Sequence, residues 1–219
     1  ARVGSDLPYL EFAADVAAPS SKRYARWNGT SKSLEIGTGT GSVAAADTPT
    51  WGMLVEAKAA AKDHYIRGVM EKGGEEAFHV FLTPKAMAKL KLDDDYLANV
   101  RNAAPRDLNN PLFSGTTVKV DGMYLHEFRH VYNTSGAAGG SKWGAGGAID
   151  GCQILFCGAQ AMGFADIGNA EWNEESDDYG NSHSIAIAKI FGMLKPQFNS
   201  QYSGNTVQDH GVFSIYAAQ

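Results

Sequence analysis

Turn-forming residues interrupt this chain so often that its sequence leaves room for only one long helix. The 219 residues include 25 glycines and 7 prolines, and residues 1–49 alone contain Pro8, Pro19, Pro49 and the glycine-rich run 37–41. Glycine and proline favour turns and end regular elements. We therefore expect loops and extended segments before residue 49, and short elements separated by loops after the long helix.

The long helix is predicted to run from Pro49 to about Lys72. Either Asp47 or Thr48 is suited to cap it, and Pro49 fits the first helical turn. The pair Gly73-Gly74 is expected to end it.

The remaining predicted elements are short and do not alternate regularly between strand and helix. The patterns predict strands at 77–82, 152–157, 184–194 and 211–217, a hairpin over 116–132 that turns at Asp121-Gly122, and short helices at 83–92 and 159–165. Two further segments are expected to be loops, one glycine-rich (136–151) and one acidic (171–178). This order indicates an α+β fold rather than a doubly wound parallel sheet.

Composition and charge argue against several classes of protein. The formal net charge is −5 and no basic run occurs, whereas proteins that grip DNA or anionic membranes cluster Lys and Arg. No apolar stretch approaches the roughly 18 residues that a membrane span needs. We expect no membrane partner.

The two cysteines are predicted to be free thiols. Cys152 and Cys157 are five positions apart in one predicted strand, so their side chains point to opposite faces. That arrangement does not allow an unstrained disulfide, and it fits a reducing compartment.

A zinc-peptidase pattern, HExxH, occurs at His126-Glu127-Phe128-Arg129-His130. In zinc peptidases both histidines lie on one helix, one turn apart. Here the surrounding residues alternate as in a strand, where positions four apart are separated by about 13 Å. We therefore expect a polar strand, and zinc hydrolysis remains an alternative. Asp150, the nearest downstream acid, has no helical pattern around it.

A glycine-rich motif that is similar to the first motif of S-adenosylmethionine-dependent methyltransferases occupies residues 34–41, Leu-Glu-Ile-Gly-Thr-Gly-Thr-Gly. Residues 109–113 are also similar to the Asn-Pro-Pro-Phe motif of those enzymes. The helix that should follow the glycines is interrupted by Asp47-Thr48-Pro49, and the one acid at a suitable distance, Glu56, falls inside the long helix. A flexible loop is the expected structure, with a methyltransferase as the alternative function.

No other cluster of residues suggests a catalytic or metal site. The acids Glu171, Glu174, Glu175, Asp177 and Asp178 lack the spacing of a calcium loop and are expected to be solvated. The remaining histidines, His64, His79, His183 and His210, are scattered along the sequence, and no Gly-x-Ser-x-Gly motif occurs. We predict no catalytic residue, no cofactor and no metal.

Eight segments, taken together and in order, resemble the major capsid proteins of the N-four-like tailed bacteriophages. They extend from the long helix to the C-terminus, about four-fifths of the chain: residues 81–87, 92–96, 110–115, 120–127, 156–161, 175–181, 190–195 and 210–215. This resemblance implies a Hong Kong 97-type capsid fold, in which an axial domain surrounds a symmetry axis and a peripheral domain carries a long spine helix.

Carried onto this sequence, the resemblance implies that 49–170 form the axial domain. Residues 1–48 and the strands of 171–219 would belong to the peripheral domain. An N-terminal arm, an extended loop and the spine helix are expected before residue 49, yet no long helix is predicted there. Either the chain lacks these elements, or it is organised differently.

The function that the resemblance implies is a non-enzymatic coat subunit. Copies would assemble as hexamers and pentamers into an icosahedral head around non-specifically held DNA, in the cytoplasm of the infected bacterium, with decoration and portal proteins as further partners. The tryptophans at 27, 51, 143 and 172 lie in or beside predicted loops and would either anchor partners or pack into the core.

Overall fold

A mixed eight-stranded sheet with helices on one face forms the centre of the fold. The computed structural model of the chain describes residues 18–103, 118–200 and 204–219. The sheet strands are β1 (Tyr24–Asn28), β2 (Ser33–Ile36), β3 (Val69–Met70), β4 (Glu76–Leu82), β5 (Val118–Val120), β6 (Met123–Glu127), β7 (Gly151–Cys157) and β14 (Val212–Ala218). The helices are α1 (Trp51–Asp63), α2 (Pro84–Lys91) and α3 (Asp94–Ala103).

Six more strands lie outside this sheet in two-stranded pairs. They are β8 (Gly163–Asp166), β9 (Glu171–Asp177), β10 (Ser182–Ala188), β11 (Phe191–Leu194), β12 (Gln197–Ser200) and β13 (Thr206–Asp209). Mixed helix and strand content without regular βαβ units agrees with the predicted α+β class.

The strand order of the central sheet is β2-β1-β14-β7-β4-β6-β5, with β3 paired to β4. Two neighbouring pairs, β1–β14 and β4–β6, are parallel, and the other pairs are antiparallel. The sheet therefore joins β1 and β14, which the sequence analysis assigned to the peripheral domain, to β4 and β7 of the expected axial domain.

The main hydrophobic core lies between this sheet and the three helices. Phe156 of β7 and Phe78 of β4 are fully buried, with their ring centroids 5.0 Å apart. Met53 and Leu54 of α1 pack into the same cluster.

A second, smaller core lies on the opposite face of the sheet. Trp143 of the glycine-rich loop packs edge-on against Tyr216 of β14, at 5.3 Å between ring centroids. The Trp143 ring also lies directly over Gly151, where an added Cβ would be 1.9 Å from the ring. The loop therefore covers the sheet rather than extending freely into solvent.

The long helix is confirmed, but its predicted start and cap are wrong. Helix α1 begins at Trp51, and the cap is Thr50, whose Oγ1 accepts a hydrogen bond from the Met53 N–H at 3.4 Å. Asp47 and Thr48 precede this cap.

The predicted end of the helix is also wrong, by nine residues. Tyr65 adopts a left-handed backbone with φ of 59°. Its N–H then bonds to the Lys62 carbonyl at 3.0 Å, and the Ile66 N–H bonds to the Ala61 carbonyl at 2.9 Å. These two bonds form a Schellman motif, which closes the helix before it reaches Gly73-Gly74.

Several short elements are confirmed close to their predicted bounds. They are the strands at 77–82, 152–157 and 211–217, the helix at 83–92, and the Asp121-Gly122 turn, whose residues have φ of 49° and 71°. The hairpin strand ends at Glu127 rather than Tyr132, while residues 116–117 lie outside the described residues.

Other predictions are wrong. Part of the expected helix at 159–165 is strand β8, because Gly163–Asp166 pairs with β11. The expected acidic loop is mostly strand β9, and the expected strand 184–194 is divided between β10 and β11. Helix α3 was not predicted.

Both cysteines are free, as predicted. Burial raises the pKa of Cys152 to about 12 and that of Cys157 to about 11, so both remain neutral thiols and weak nucleophiles. Within the described residues, no helix is long and apolar enough to cross a membrane.

Candidate interaction surface

Residues 163–194 form a long two-stranded ribbon that pairs with no other strand among the described residues. Its inner part is the β8–β11 pair, and its outer part is the β9–β10 pair that follows. Strand β8 pairs with β11, and β9 pairs with β10, both in antiparallel register. Every residue of β9, β10 and β11 is exposed. Because an isolated two-stranded hairpin is at best marginally stable in water, this ribbon needs a covering surface.

The outer part of the ribbon has one apolar face. Directly paired residues share a face, and Trp172 pairs with Ile187, while Glu174 pairs with Ile185. The opposite face carries small and polar residues, including Ser184 and Ala186. The alternation of Ile185 and Ile187 in the sequence is typical of a strand buried on one side, although here that side is exposed.

The inner part of the ribbon is also apolar. Phe164 and Phe191 lie with ring centroids 6.1 Å apart, and Met193 pairs directly with Phe164. One ion pair, between Lys189 Nζ and Asp166 Oδ2 at 2.9 Å, crosses the ribbon near them.

The exposed apolar surface of the ribbon exceeds what an ordinary monomer presents. At roughly 100 Å² each, its large side chains together surpass the roughly 300–600 Å² of the largest patch on a typical monomer. These side chains are Phe164, Ile167, Trp172, Ile185, Ile187, Ile190, Phe191, Met193 and Leu194, all more than half exposed. The ribbon is therefore a candidate surface for contact with another protein.

The ribbon is also strongly acidic. It carries six acidic residues and one lysine, Lys189; the acids are Asp166, Glu171, Glu174, Glu175, Asp177 and Asp178. The five acids at 171–178 extend along β9 and its turn rather than converging on one point. Within the described ranges, no three His, Cys, Asp or Glu side chains form a candidate metal site.

Only the first half of the HExxH motif lies on the predicted strand, and the second half falls in the turn after it. His126 and Glu127 end β6, and His130 follows in a turn. Instead of pairing with His130, His126 contacts His79 of the neighbouring parallel strand, with Nε2 2.9 Å from Nδ1 of His79. One of these two nitrogens must accept, so the contact requires at least one neutral ring.

Acid is expected to destabilise the fold through three partly buried histidines. Burial lowers the pKa of His64, His126 and His210, and the neighbouring His79 lowers that of His126 further. A histidine whose pKa is lower in the folded state than in the unfolded chain is neutral in both states well above the unfolded pKa of about 6.5. As the pH falls below that value, the unfolded chain takes up the proton more readily, and the fold loses stability.

We therefore expect the free energy of unfolding to decrease as the pH falls from about 6.5 to about 5. Denaturant titrations across this range measure the slope, and His126→Gln should reduce it. The control His183→Gln alters an exposed ring on the ribbon and should leave the slope as in the wild type. An equal slope for His126→Gln would contradict this prediction.

The methyltransferase-like motif does not form a nucleotide-binding turn. Strand β2 ends at Ile36, and the glycines continue into a single 3₁₀ turn at Thr40–Ser42 instead of a helix. Glu56 lies exposed on α1. The expected loop is therefore observed.

Of the four tryptophans, Trp172 is the one that fits a partner anchor. Its side chain is 58% exposed, whereas Trp27 and Trp143 are buried in the two cores and Trp51 is partly buried beside the main one. Trp143 lies in the glycine-rich loop, and the other three lie within one residue of the end of an element, beside a loop: Trp27 on β1, Trp51 at the start of α1 and Trp172 on β9.

Comparison with known proteins identifies similar chains. A sequence model of a family described as phage capsid protein matches residues 7–219. The major capsid protein of Pseudomonas phage KPP25 is 57% identical over 217 residues, covering 99% of this chain and 58% of that protein. The chain thus spans less than two thirds of the length of this curated relative.

Solved structures show the same fold at low sequence identity. The capsid of Ralstonia phage GP4 matches with a TM-score of 0.69 at 23% identity, covering 99% of this chain and 59% of that one. The capsid asymmetric unit of cyanophage Pam1 matches with a TM-score of 0.72 at 22% identity, covering 90% and 54% respectively.

Proposed function

This chain belongs to the phage capsid protein family, and we propose that it is the major coat subunit of a tailed bacteriophage, assembling with copies of itself into the icosahedral head that encloses the DNA. The exposed apolar surface of the ribbon is the observation that supports this proposal. A surface with more exposed apolar area than a monomer normally presents is a surface for association. In a shell, each subunit meets several others, so modest contacts multiply into a stable lattice.

We propose that the ribbon's apolar face, with Trp172, Ile185 and Ile187, packs against a neighbouring copy. The acidic residues of the ribbon keep the unassembled subunit soluble and select against wrong partners by like-charge repulsion. The net charge of −5 repels phosphates, so the subunit is proposed to hold the DNA only non-specifically, by enclosing it rather than by binding it.

The domain division is proposed in a revised form within a Hong Kong 97-type fold. Residues from all three predicted segments, 1–48, 49–170 and 171–219, meet in one sheet, in which β14 lies between β1 and β7. We therefore assign the sheet and its helices to the axial domain. The ribbon is assigned to the peripheral domain.

The subunit contacts are proposed to build hexamers and pentamers, with assembly in the cytoplasm of the infected bacterium. Decoration and portal proteins are the expected further partners. The subunit is proposed to work without catalysis, since its role depends on surfaces rather than on a reactive pocket.

Expression of this sequence, within a polypeptide of the length of its curated relative, tests the function. We expect closed shells by electron microscopy and a fast-sedimenting species by analytical ultracentrifugation. Monomers alone, under every assembly condition, would count against the proposal.

A further inference from the structure

A cavity of about 580 Å³ lies beside the C-terminal end of α1, the first residue of β4, and the β12–β13 pair. The charged and titratable groups that line it are Arg23, Lys62, His64, Tyr65, Arg67, Glu76, Asp209 and His210. No strand of the ribbon contributes to its lining.

Arg23 is the unusual member of this group because it is buried with an unused donor. Arg23 is only 6% exposed, and its Nε donates a hydrogen bond to the backbone carbonyl oxygen of Asp209 at 2.7 Å. Its Nη1 is buried without a hydrogen-bond partner among the described residues. A buried cationic donor that lacks a partner is costly, so such a group favours a bound acceptor.

The acids of the cavity are already engaged. Asp209 accepts hydrogen bonds from Lys195 at 3.0 Å, from Gln197 at 2.8 Å and from the Ser20 N–H at 2.9 Å. Glu76 lies 3.8 Å from Lys62. These pairs leave the guanidinium groups of Arg23 and Arg67 as the positive charge available to a ligand.

The two histidines respond to this positive charge. Burial lowers the pKa of His64 and of His210, and the charge of Arg23 lowers both further. Arg67 adds to the effect at His210, and Lys22 adds to it at His64. Both rings are therefore neutral near pH 7 and can donate one N–H each to an anion.

We propose that this cavity binds an oxyanion, a phosphate or a carboxylate group, with Arg23 Nη1 as its buried anchor and Arg67 as the second cation. Planar guanidinium groups match the oxygen geometry of both anions. Two sources supply that chemistry: a free phosphate ion, or a carboxylate from the acidic ribbon of a second copy, whose charge is complementary to the cavity. This inference goes beyond the proposed coat function.

Calorimetric titration of the 219-residue chain with two probes tests the site. One probe is inorganic phosphate, with ionic strength held constant by chloride, and the other is a peptide of residues 171–188. A matched peptide, with each acid replaced by its amide, reports whether the carboxylates are required. Saturable binding of either probe supports the site, and the probe that binds identifies the source.

Variants locate the binding. Arg23→Gln should weaken it by about tenfold or more, since it removes a charge-assisted hydrogen bond in a buried place. Arg23→Gln also removes a buried hydrogen bond to Asp209 and can impair folding. Arg67→Gln alters an exposed side chain and therefore tests the site without this risk; it should weaken binding about threefold.

Lys89→Gln is the control. It removes an exposed cation of α2, the helix that follows the opposite end of β4, and should leave affinity unchanged. Failure of both probes to bind the wild type, or equal affinity in Arg67→Gln and the wild type, would overturn the proposal. Shell formation is measured separately, so a failed oxyanion site leaves the coat function standing.

Discussion

We expect Ile185→Glu combined with Ile187→Glu to abolish shell assembly while the subunit still folds. Both side chains lie on the apolar face of the ribbon and are more than half exposed in the subunit, so their replacement removes little from its own core. In an assembled shell, two carboxylates would instead be buried against a neighbouring apolar surface without partners. Burying an unpaired charge costs several kcal/mol, about the size of a typical subunit contact.

The matched control places the same charges on the other face. Ser184→Glu combined with Ala186→Glu alters the same strand, and we expect shells to form as in the wild type. Electron microscopy of both variants counts shells, and circular dichroism with a thermal scan confirms that each subunit folds. Equal assembly of the two variants would show that the apolar face is not a contact.

Asp47→Ala is expected to lower the free energy of unfolding by about 3–5 kcal/mol, the cost of breaking a buried ion pair from one side. The Asp47 side chain is fully buried and receives three hydrogen bonds, from Arg26 Nε at 2.8 Å, the Ala44 N–H at 2.7 Å and the Gly29 N–H at 3.0 Å. It thereby ties β1 to the segment before α1. Its removal leaves the Ala44 and Gly29 N–H groups and Arg26 Nε without their acceptor.

The pH dependence of this variant has a definite sign. Burial alone would raise the pKa of the Asp47 carboxyl, but the hydrogen bonds from Arg26, Ala44 and Gly29 outweigh it and hold the pKa below its usual value. The carboxylate therefore stabilises the fold fully above about pH 3.9, and loses this contribution as pH falls further.

Denaturant unfolding at neutral and acidic pH measures both effects. The difference between the wild type and Asp47→Ala should be largest at neutral pH and should narrow in acid. Glu35→Gln is the control, because Glu35 pairs with the same Arg26 at 3.3 Å but is partly exposed, and it should cost about 1 kcal/mol or less. Similar losses for the two variants would contradict the assigned role of Asp47.

Local residue chemistry predicted the elements whose ends carry conventional signals. Thr83 caps α2, with Pro84 at the first position, and Asp121-Gly122 supplies the two left-handed residues of a tight hairpin turn. The end of α1 lacked such a signal. Tyr65 takes the left-handed position that glycine normally occupies, and Ile66 is then buried at 3% exposure in the main core. Tertiary packing therefore decided that helix end.

The sequence predicted only one of the two strands that form the outer part of the ribbon. The alternation of Ile185 and Ile187 predicted a strand, but its partner segment, Glu171–Asp177, is too acidic to be read as one. That segment becomes a strand by pairing with β10 across a turn at Asp178 and Tyr179, both with positive φ. Patterns of burial cannot reveal a strand that is exposed on both faces in its own subunit.

The cavity lined by Arg23 could not be predicted from the sequence either, because it depends on contacts between distant segments. Arg23 and Asp209 are 186 positions apart, and a buried arginine with an unused nitrogen cannot be inferred from spacing. Only the packing of β1 beside β14 brings the two segments together.

A cryo-electron microscopy reconstruction of the assembled shell tests the role of the ribbon most directly. We expect Trp172, Ile185 and Ile187 of each subunit to be buried against a neighbouring copy. A closed shell in which this face lies open to solvent, or is covered entirely by its own polypeptide, would contradict the proposed contact.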